Sequence, residues 1–406
     1  MGRPTAIDLF SGGGGLSLGL SNAGFEVLFG VDNWEPAVNA YNSNLKHHCH
    51  NVDLFFPEHE SLSLMTVTKL KEYCKYRRLK VTGRKLVLID RILEDVKESK
   101  SAPDSVKELL SGRTPDLIAG GPPCQGWSTL GARNDSDPRN ELFRSFVKVV
   151  ERIKPRFFIM ENVSGLKHSK NGKEEPRRAQ QIIQRFVDAG YPDAKCSQVI
   201  CADYGVPQRR KRLFFTGSLG GGIDYDLPPS TCEEYVSVEG AIYDLPPVES
   251  NESQKEYSSK SLTDFQRLMR GNSTVLHNHS APNHDQELVD IMSKVPDGGS
   301  RKSIPELGWN PDWHHNAYSR LLSTAPATAV TTNLRKPSSN RSTHPTQNRG
   351  LTIREGLRLQ TFPDSYILEG GVVDQSIIVG NSVPPLLAQR LFEPLANLLR
   401  EKMLAN

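Results

Sequence analysis

The sequence lacks the features of several large classes of protein. No run of about 18 apolar residues occurs in its 406 residues, which excludes a membrane-spanning helix. Met1–Gly15 has no basic stretch followed by an apolar core, so no secretory signal is expected. Hydrophobic residues make up 37% and charged residues 24%, as in ordinary globular domains and unlike collagen, coiled coils or disordered chains. The length allows two or three domains with a buried core.

Cysteine is also scarce. The six cysteines are widely separated and form no C-x-x-C pair, which argues against a disulfide framework or a zinc ribbon and favours a reducing compartment. The cluster His47–His50 contains metal-ligand residue types, but neighbours on an extended chain point to opposite sides. We therefore interpret it as a loop or strand end and expect no metal site.

Net charge is small for the whole chain and uneven along it. Lys and Arg total 50 and Asp and Glu total 47, so the formal charge of +3 gives little indication of a nucleic-acid partner. Residues 62–98, however, hold ten basic and five acidic residues. Glu233–Asp290 holds four and eleven, and Lys294–Arg341 holds seven and three. A small basic segment is typical of a phosphate-backbone contact.

Short apolar runs alternate with helical patterns. Thr5–Phe10 and Phe25–Val31 are predicted strands, and Leu16–Ala23 between them is a predicted helix. The same alternation continues through about residue 218. It predicts an α/β fold with a doubly wound, mostly parallel sheet. Residues 219–349 are rich in Gly, Pro, Ser and Asn and predict a separate, irregular domain.

A glycine-rich turn follows the first predicted strand. Gly12–Gly15 let the backbone approach a ligand, and the helix that follows offers free N–H groups. Asp32 ends the next predicted strand, where a carboxylate can bind ribose hydroxyls. The spacing does not match G-x-G-x-x-G, so the loop favours a nucleoside cofactor without a pyrophosphate. A tight structural turn is the alternative.

Two further polar segments follow predicted strands, and a third leads into one. Cys124 stands in a proline-stiffened loop directly after Asp116–Gly120, where a thiol can serve as a nucleophile. Glu161–Val163 lies just beyond the strand Phe157–Met160 in this interpretation. The cationic run Gln208–Arg212 precedes another strand and could hold phosphate or orient an acid. In Gly380–Pro385, Ser382 has the character of a helix N-cap.

Taken in order, these segments resemble the DNA cytosine-5 methyltransferase family. The matching segments are Asp8–Gly12, Pro122–Gln125, Glu161–Val163, Gln208–Arg212, Arg354–Glu355 with Leu359–Pro363, and Gly380–Pro384. The resemblance implies methyl transfer from S-adenosylmethionine to C5 of a flipped-out cytosine in duplex DNA. It implies catalytic roles for Cys124, Glu161, Arg210 and Arg212, with both arginines holding the Glu161 carboxylate and the target phosphate or base oxygen.

The resemblance also implies the position of the cofactor. Asp32 would bind the ribose and Asp53 would lie near the adenine, while Asn381 would return to the same pocket. The full set of expected cofactor-binding residues is Phe10, Ser11, Gly12, Gly14, Asp32, Asn33, Asp53, Gly121, Pro123, Asn381 and Ser382. No metal is implied.

A basic segment interrupts the resemblance. Cys124 follows Asp53 by 71 positions, more than this family normally needs, and residues 62–98 resemble a SAP domain, a small DNA-binding module. Arg78 stands where that family usually has glycine, and a generic helical hairpin is the alternative. The expected domains are 1–61, 99–218 and 350–406 for the catalytic part, 62–98 for the insert and 219–349 for target recognition.

The resemblance sets expectations for partners and role. Because Lys294–Arg341 is the basic part of the recognition domain, base and backbone contacts are expected mainly from this segment. It contains residue types suited to base edges and phosphates: Asn333, Arg335, Lys336, Asn340 and Arg341. We expect a monomeric, cytoplasmic prokaryotic restriction-modification methylase that acts on duplex DNA, with a cognate endonuclease sharing its site without binding it. Alternatives are an enzyme acting on transfer RNA, whose relatives have a shorter recognition segment, a catalytically silent DNA-binding relative, and a nicotinamide dehydrogenase.

Overall fold

The structure is a computed structural model that describes residues 2–54, 62–63, 65–98, 102–123, 142–167, 176–305, 316–339 and 341–404. Within these residues the core is a seven-stranded sheet of order β3-β2-β1-β4-β5-β7-β6. Its strands are β1 (Thr5–Leu9), β2 (Glu26–Asp32), β3 (His48–Asn51), β4 (Leu117–Gly120), β5 (Phe157–Val163), β6 (Lys195–Ile200) and β7 (Lys211–Ser218). β1 to β5 pair in parallel, and β7 is antiparallel to both of its neighbours. The expected doubly wound, mostly parallel α/β fold is confirmed.

Helices cover both faces of this sheet. In chain order they are α1 (Gly15–Asn22), α2 (Glu35–Asn44), α3 (Val67–Tyr76), α4 (Lys85–Glu98), α5 (Ala102–Leu110), α6 (Leu142–Ile153), α7 (Pro176–Asp188), α8 (Val238–Ile242), α9 (Asp264–Arg270), α10 (Gln286–Ser293), α11 (Ile353–Leu359), α12 (Val372–Asn381) and α13 (Pro385–Leu404). Successive strand residues alternate between the faces, because the side-chain period of a strand is two. Ala6 joins the core under α1 and α13, whereas Ile7 joins the core under α6 and α7.

The order of the strands places a crevice where the site is expected. β1 has β2 on one side and β4 on the other, so the chain reverses its winding direction between β1 and β4. Ligands of open α/β sheets bind at such a switch point, beyond the carboxyl ends of the strands. Both the glycine loop after Leu9 and the loop after Gly120 leave the sheet at this point.

Three sequence interpretations need correction. Glu161–Val163 forms the end of β5, paired with β7, and does not lie beyond the strand. Ser382 is the C-cap of α12 and is not the N-cap of the next helix, which begins at Pro385. Strand β6 was not predicted, because an edge strand that is mostly half-buried lacks a continuous apolar run.

Many described residues of 219–349 share an apolar core with the segment that follows them and with α2, whereas Ile223 and Tyr225 join the core of the sheet. Ile242, Met269 and Leu321 pack in one apolar cluster with Leu357 and Phe362. The recognition segment is therefore continuous with the closing part of the catalytic domain. Within the described ranges, no helix is long and apolar enough to cross a membrane. The same ranges contain no group of three His, Cys, Asp or Glu residues that could hold a metal ion.

Candidate active site

The glycine loop turns sharply where β1 ends. Phe10, Gly12 and Gly14 have left-handed φ values of 57°, 53° and 84°. Glycine adopts this conformation without strain, whereas Phe10 is held in a conformation that is costly for a bulky residue. The Gly14 N–H donates to the Ser11 carbonyl oxygen at 2.9 Å, and α1 begins at the next residue. The loop thus lies over the N-terminus of α1, as the sequence predicts.

Asp32 fixes the conformation of the loop from the end of β2. Its Oδ2 accepts the Gly12 N–H at 2.9 Å, and its Oδ1 accepts the Trp34 N–H at 2.9 Å. Burial raises the pKa of Asp32, and the two backbone donors oppose that shift. The Ser11 hydroxyl lies 3.3 Å from Cys49 Sγ, which ties the loop to β3 as well.

Asn33 and Asp53 extend this row of polar groups. The Asn33 amide Nδ2 donates to Asp53 Oδ1 at 3.2 Å, and the Val52 N–H donates to the Asp32 carbonyl oxygen at 3.0 Å. The other oxygen of Asp53, Oδ2, accepts a hydrogen bond from Arg77 of the insert. The structure therefore brings together the residues expected around a nucleoside and adds Arg77 to them.

The chemistry of these residues is compatible with the nucleoside of S-adenosylmethionine, the cofactor that the resemblance implies. A Cβ built on Gly12 would meet nothing within 4 Å, so the loop faces open space at that residue. Asp32 keeps acceptor capacity for ribose hydroxyls, since each carboxylate oxygen can accept more than one hydrogen bond. The Asp53 carboxylate is hydrogen-bonded to Asn33, the neighbour of Asp32, and a carboxylate can accept from an amino group.

The loop after β4 carries the expected nucleophile. Gly121 and Pro123 are half-buried at the carboxyl end of β4, and Cys124 lies outside the described residues. A Cβ built on Gly121 would lie 3.2 Å from Glu161 Oε2, so the Glu161 carboxylate sits directly against this loop. Neighbouring parallel strands thus deliver Glu161 and the residues leading to Cys124 to one edge of the sheet.

Glu161 is held by Arg212. The Arg212 Nε lies 2.6 Å from Glu161 Oε1, and each side chain is less than one sixth exposed. The antiparallel register of β5 and β7 produces this contact, because Arg212 pairs with Val163, two positions along β5 from Glu161. The pair leaves Glu161 Oε2 directed at Gly121.

Arg210 occupies a different place from the one predicted. Its Nη1 donates to the Val330 carbonyl oxygen at 2.6 Å and its Nη2 to the Gly380 carbonyl oxygen at 2.8 Å. It therefore joins the recognition segment to α12 and makes no hydrogen bond to the Glu161 carboxylate. Burial, followed by the charge of Arg212, lowers the pKa of Arg210 to about 9. From sequence, both arginines were expected to hold the Glu161 carboxylate. In the structure Arg212 pairs with that carboxylate, whereas Arg210 donates to backbone carbonyl oxygens.

The closing segment of the catalytic domain, residues 350–404, contacts the glycine loop. The Tyr366 hydroxyl donates to the Gly13 carbonyl oxygen at 2.5 Å, and a Cβ built on Gly15 would lie 2.3 Å from the Val383 carbonyl oxygen. Asn381 is exposed at the end of α12, and the Ser382 hydroxyl donates to the Ile378 carbonyl oxygen at 2.6 Å. Asn381 is available for a ligand, whereas the Ser382 side chain caps its helix.

The predicted DNA-contact residues divide into two groups. Asn333 and Lys336 are exposed. Arg335 donates to the Ser280 carbonyl oxygen at 2.8 Å, and Arg341 donates to the Gly298 carbonyl oxygen at 3.0 Å. Both guanidinium groups therefore support the recognition segment internally. The remaining member, Asn340, lies outside the described residues.

Sequence reasoning missed two residues that organise the site. Arg77 was counted only as part of a basic segment, and Gln208 only as the start of a cationic run. Gln208 is fully buried, donates to the Leu359 carbonyl oxygen at 2.7 Å and accepts the Val330 N–H at 3.1 Å. The sequence contained one signal for Gln208, which is a neutral amide beside four cations. It contained no signal that would have singled out Arg77.

Two family profiles match the chain in complementary ranges. The profile described as C-5 cytosine-specific DNA methylase matches residues 5–64 and 90–397. The gap between those ranges falls within the match to the SAP domain, residues 61–97. The SAP resemblance predicted from sequence is thereby confirmed.

Similar proteins agree with these profiles. The Type II methyltransferase M1.HphI of Haemophilus parahaemolyticus is 34% identical over 96% of this chain and 86% of its own length. M.DdeI of Desulfomicrobium norvegicum, also a Type II methyltransferase, is 32% identical over 95% and 87%. A prophage-encoded protein of E. coli, assigned as a DNA modification methyltransferase, has a similar fold with a TM-score of 0.69. It is 24% identical to this chain, covering 98% of it and 99% of its own chain.

The fold agrees with these matches, whose family and fold are those of S-adenosylmethionine-dependent methyltransferases. The chain therefore belongs to the C-5 cytosine-specific DNA methylase family and is a DNA (cytosine-5-)-methyltransferase.

Proposed function

We propose that the protein methylates C5 of a flipped-out cytosine in a specific duplex DNA sequence, through a covalent bond between Cys124 and C6. The observation that carries this proposal is the Glu161–Arg212 pair. Its free oxygen, Glu161 Oε2, faces Gly121, three positions before Cys124. An acid and a nucleophile leaving adjacent strand ends can contact opposite edges of one pyrimidine ring.

The chemistry assigns a task to each residue. C5 of cytosine is a poor nucleophile, and addition of the Cys124 thiolate to C6 moves the ring electrons onto C5. Glu161 stabilises that charge by a hydrogen bond or proton at N3, and Arg212 holds the carboxylate in place. After C5 has gained its methyl group, it loses its proton to a base. The C6–S bond then breaks and regenerates the thiolate.

The cofactor site is assigned to the first part of the sheet. Phe10, Ser11, Gly12 and Gly14 would line it, with Asp32 on the ribose and Asp53 on the adenine amino group. Gly121, Pro123, Asn381 and Ser382 belong to the segments that border it. S-adenosylmethionine supplies an electrophilic methyl group when bound.

Base flipping is part of the proposal. C6 and N3 of a stacked, paired cytosine are inaccessible to side chains, so the base must leave the helix before Cys124 and Glu161 can reach it. The proposed receiving site is the crevice beyond the carboxyl ends of β4 and β5, where Gly121 lies against Glu161. The similarity to Type II methyltransferases supports a role in restriction-modification, in which methylation protects one DNA sequence from cleavage.

The test incubates the protein with S-adenosylmethionine and duplex DNA that carries 5-fluorocytosine at the target position. After methyl transfer, the fluorine on C5 takes the place of the proton that must be lost, so the bond between Cys124 and C6 cannot break. The wild-type protein should form a denaturation-resistant complex, and Cys124→Ser should form none while still binding DNA. Cys232→Ser is the matched control, since Cys232 is a half-buried free cysteine. A covalent complex with Cys124→Ser would overturn the assignment.

The alternative substrate is transfer RNA. A Dnmt2 methyltransferase of S. pombe has the same fold, with a TM-score of 0.50 and 14% identity over 99% of both chains, which supports the fold alone. The recognition segment of about 130 residues favours DNA. Methyl transfer to duplex DNA and none to transfer RNA is the expected result, and bisulfite sequencing of DNA from expressing cells identifies the methylated sequence.

A further inference from the structure

The insert contacts the cofactor side of the catalytic domain through one buried cation. Arg77 is the C-cap of α3 and extends its guanidinium between two carboxylates. Nη1 contacts Asp53 Oδ2, and Nε lies 2.7 Å from Asp95 Oδ2 on α4. The Arg77 side chain is only 13% exposed. A cation shared in this way links the two helices of the insert to the segment after β3.

Asp53 is held from both sides. Asn33, directly after β2, donates to Oδ1 at 3.2 Å, and Arg77 donates to Oδ2. With both oxygens engaged, the carboxylate has a fixed orientation beside Asn33, the residue that follows Asp32. A charge-assisted hydrogen bond to a partner that is largely shielded from water favours one side-chain rotamer of the carboxylate.

An apolar contact joins the insert to the same site. The core of the insert, which includes Leu70, Tyr73 and Ile89, also contains Leu142 of α6 and packs against Phe10. Phe10 is the residue held at φ 57° in the glycine loop. The insert therefore supports two of the expected cofactor residues, Phe10 by packing and Asp53 by charge.

We propose that Arg77 is a positioning residue for cofactor binding and that the insert forms one wall of the cofactor site. Arg77 orients the Asp53 carboxylate so that one lone pair accepts the exocyclic amino group of the cofactor's adenine. Asp95 in turn fixes Arg77. This inference rests on the proposed function, because it takes Asp53 as the residue nearest the adenine.

The position of Arg77 explains why it serves this purpose. The helix α3 ends at Tyr76, and Arg78 turns the chain in the left-handed region with φ 58°. The Arg78 N–H donates to the Lys75 carbonyl oxygen at 3.1 Å and the Leu79 N–H to the Cys74 carbonyl oxygen at 2.7 Å, which closes the helix end rigidly. Arg77 therefore projects from a fixed backbone.

The experiment measures binding of S-adenosylhomocysteine to the full-length, DNA-free protein by calorimetry. Arg77→Met should raise the Kd about tenfold, the equivalent of one hydrogen bond of about 1.4 kcal/mol. Arg77→Lys should recover part of the affinity, and Asp95→Asn should lose less than Arg77→Met. Arg84→Met, an exposed basic residue of the same insert, is the control and should bind as the wild type does.

A cofactor analogue separates positioning from general structural support. S-inosylhomocysteine carries a carbonyl in place of the adenine amino group, so the wild type should bind it about tenfold more weakly than S-adenosylhomocysteine. In Arg77→Met the difference between the two ligands should shrink towards zero. Equal losses for both ligands would overturn the inference, as would an unchanged Kd. Failure of the wild type to bind S-adenosylhomocysteine would instead refute the proposed function.

Discussion

The insert and the recognition segment are attached to the same sheet in opposite ways. Most of the basic residues that the structure describes in the insert are exposed to solvent. Arg77 differs from them, because it forms an ion pair with Asp53 of the catalytic domain. The recognition segment, in contrast, is joined to the closing segment by arginines without solvent exposure. A formal charge read from sequence therefore has different meanings in the two regions: surface charge in the first and internal framework in much of the second.

The framework of the recognition segment is a network of paired charges. Arg358 Nη1 lies 2.7 Å from Asp244 Oδ1, and its Nη2 lies 2.7 Å from Asp364 Oδ2. Arg349 holds Glu355 at 2.7 Å in a second pair. Arg320 is one of the seven basic residues counted in Lys294–Arg341, the segment expected to contact DNA. In the structure its guanidinium donates to the Val295 and Met292 carbonyl oxygens, each at 2.6 Å.

This difference suggests a division of labour. The role proposed for residues 219–349, selection of one base sequence, requires a fixed orientation relative to the catalytic loop, and geometrically specific arginine pairs provide it. The role expected of the insert, contact with the phosphate backbone, requires exposed positive charge instead. Four predictions test the contrast, from the largest expected effect to the smallest.

Replacing Arg358 by leucine should destabilise the protein by about 3–5 kcal/mol, because it removes the cation that Asp244 and Asp364 share. Among the described cations, Asp244 would keep only Arg270, and Asp364 would keep only a longer contact of 3.7 Å to Arg354. Urea unfolding measures the change in the free energy of unfolding. Arg267→Leu is the control, since its ion pair with Asp264 is largely exposed and should contribute less than about 1 kcal/mol. Equal effects of the two substitutions would remove the contrast between framework and surface.

The ion pair between Glu355 and Arg349 should make the stability of the protein decrease at acidic pH. Burial tends to raise its pKa, but the charge and hydrogen bonds of Arg349 outweigh this and lower it. A lowered pKa contributes stability that is present above the unfolded-state pKa and is lost as the pH falls below it. The stability difference between wild type and Glu355→Gln should therefore narrow as the pH falls below about 5. A difference that stays constant between pH 7 and pH 4 would contradict this.

Neutralising exposed charges of the insert should weaken DNA binding without changing the methylated sequence. Lys71, Lys75 and Arg84 are exposed, and each phosphate contact that they make adds about 0.9 to the salt slope of binding. The triple glutamine variant should show a smaller slope in fluorescence titrations of duplex DNA. Lys302→Gln with Lys336→Gln is the comparison in the recognition segment, where both are exposed. An unchanged slope in the triple variant would confine DNA binding to the recognition segment.

Arg78→Gly should stabilise the insert by about 0.5–1 kcal/mol, because glycine adopts the left-handed conformation of this helix end without strain. Hydrogen exchange of the amides in α3 reports the local free energy of opening. Lys75→Gly, inside α3, is the matched control and should lower protection by about 1 kcal/mol. Loss of protection in both variants would show that the turn does not require the left-handed conformation.

The sequence predicted the local units of the fold better than their contacts. The strand at Thr5–Leu9, the glycine loop and the helix after it follow from short-range patterns, as does the position of Asp32. Arg210 and Arg212 could not be assigned separately, because only the pairing of β7 with β5 shows which of them faces Glu161. Arg77 and Asp53 belong to different local units, and no periodicity relates them. The roles of the site residues themselves stay predictions.

The closure of the glycine loop by Tyr366 has a consequence for biosynthesis. The two residues that meet, Gly13 and Tyr366, are 353 positions apart, so the loop emerges from the ribosome long before its partner is translated. Until α13 follows, the apolar face of β1 and α1 that it covers stays open to solvent. Nascent chains of this length with uncovered apolar surface are prone to aggregate, and chaperone demand should therefore fall only when translation reaches α13.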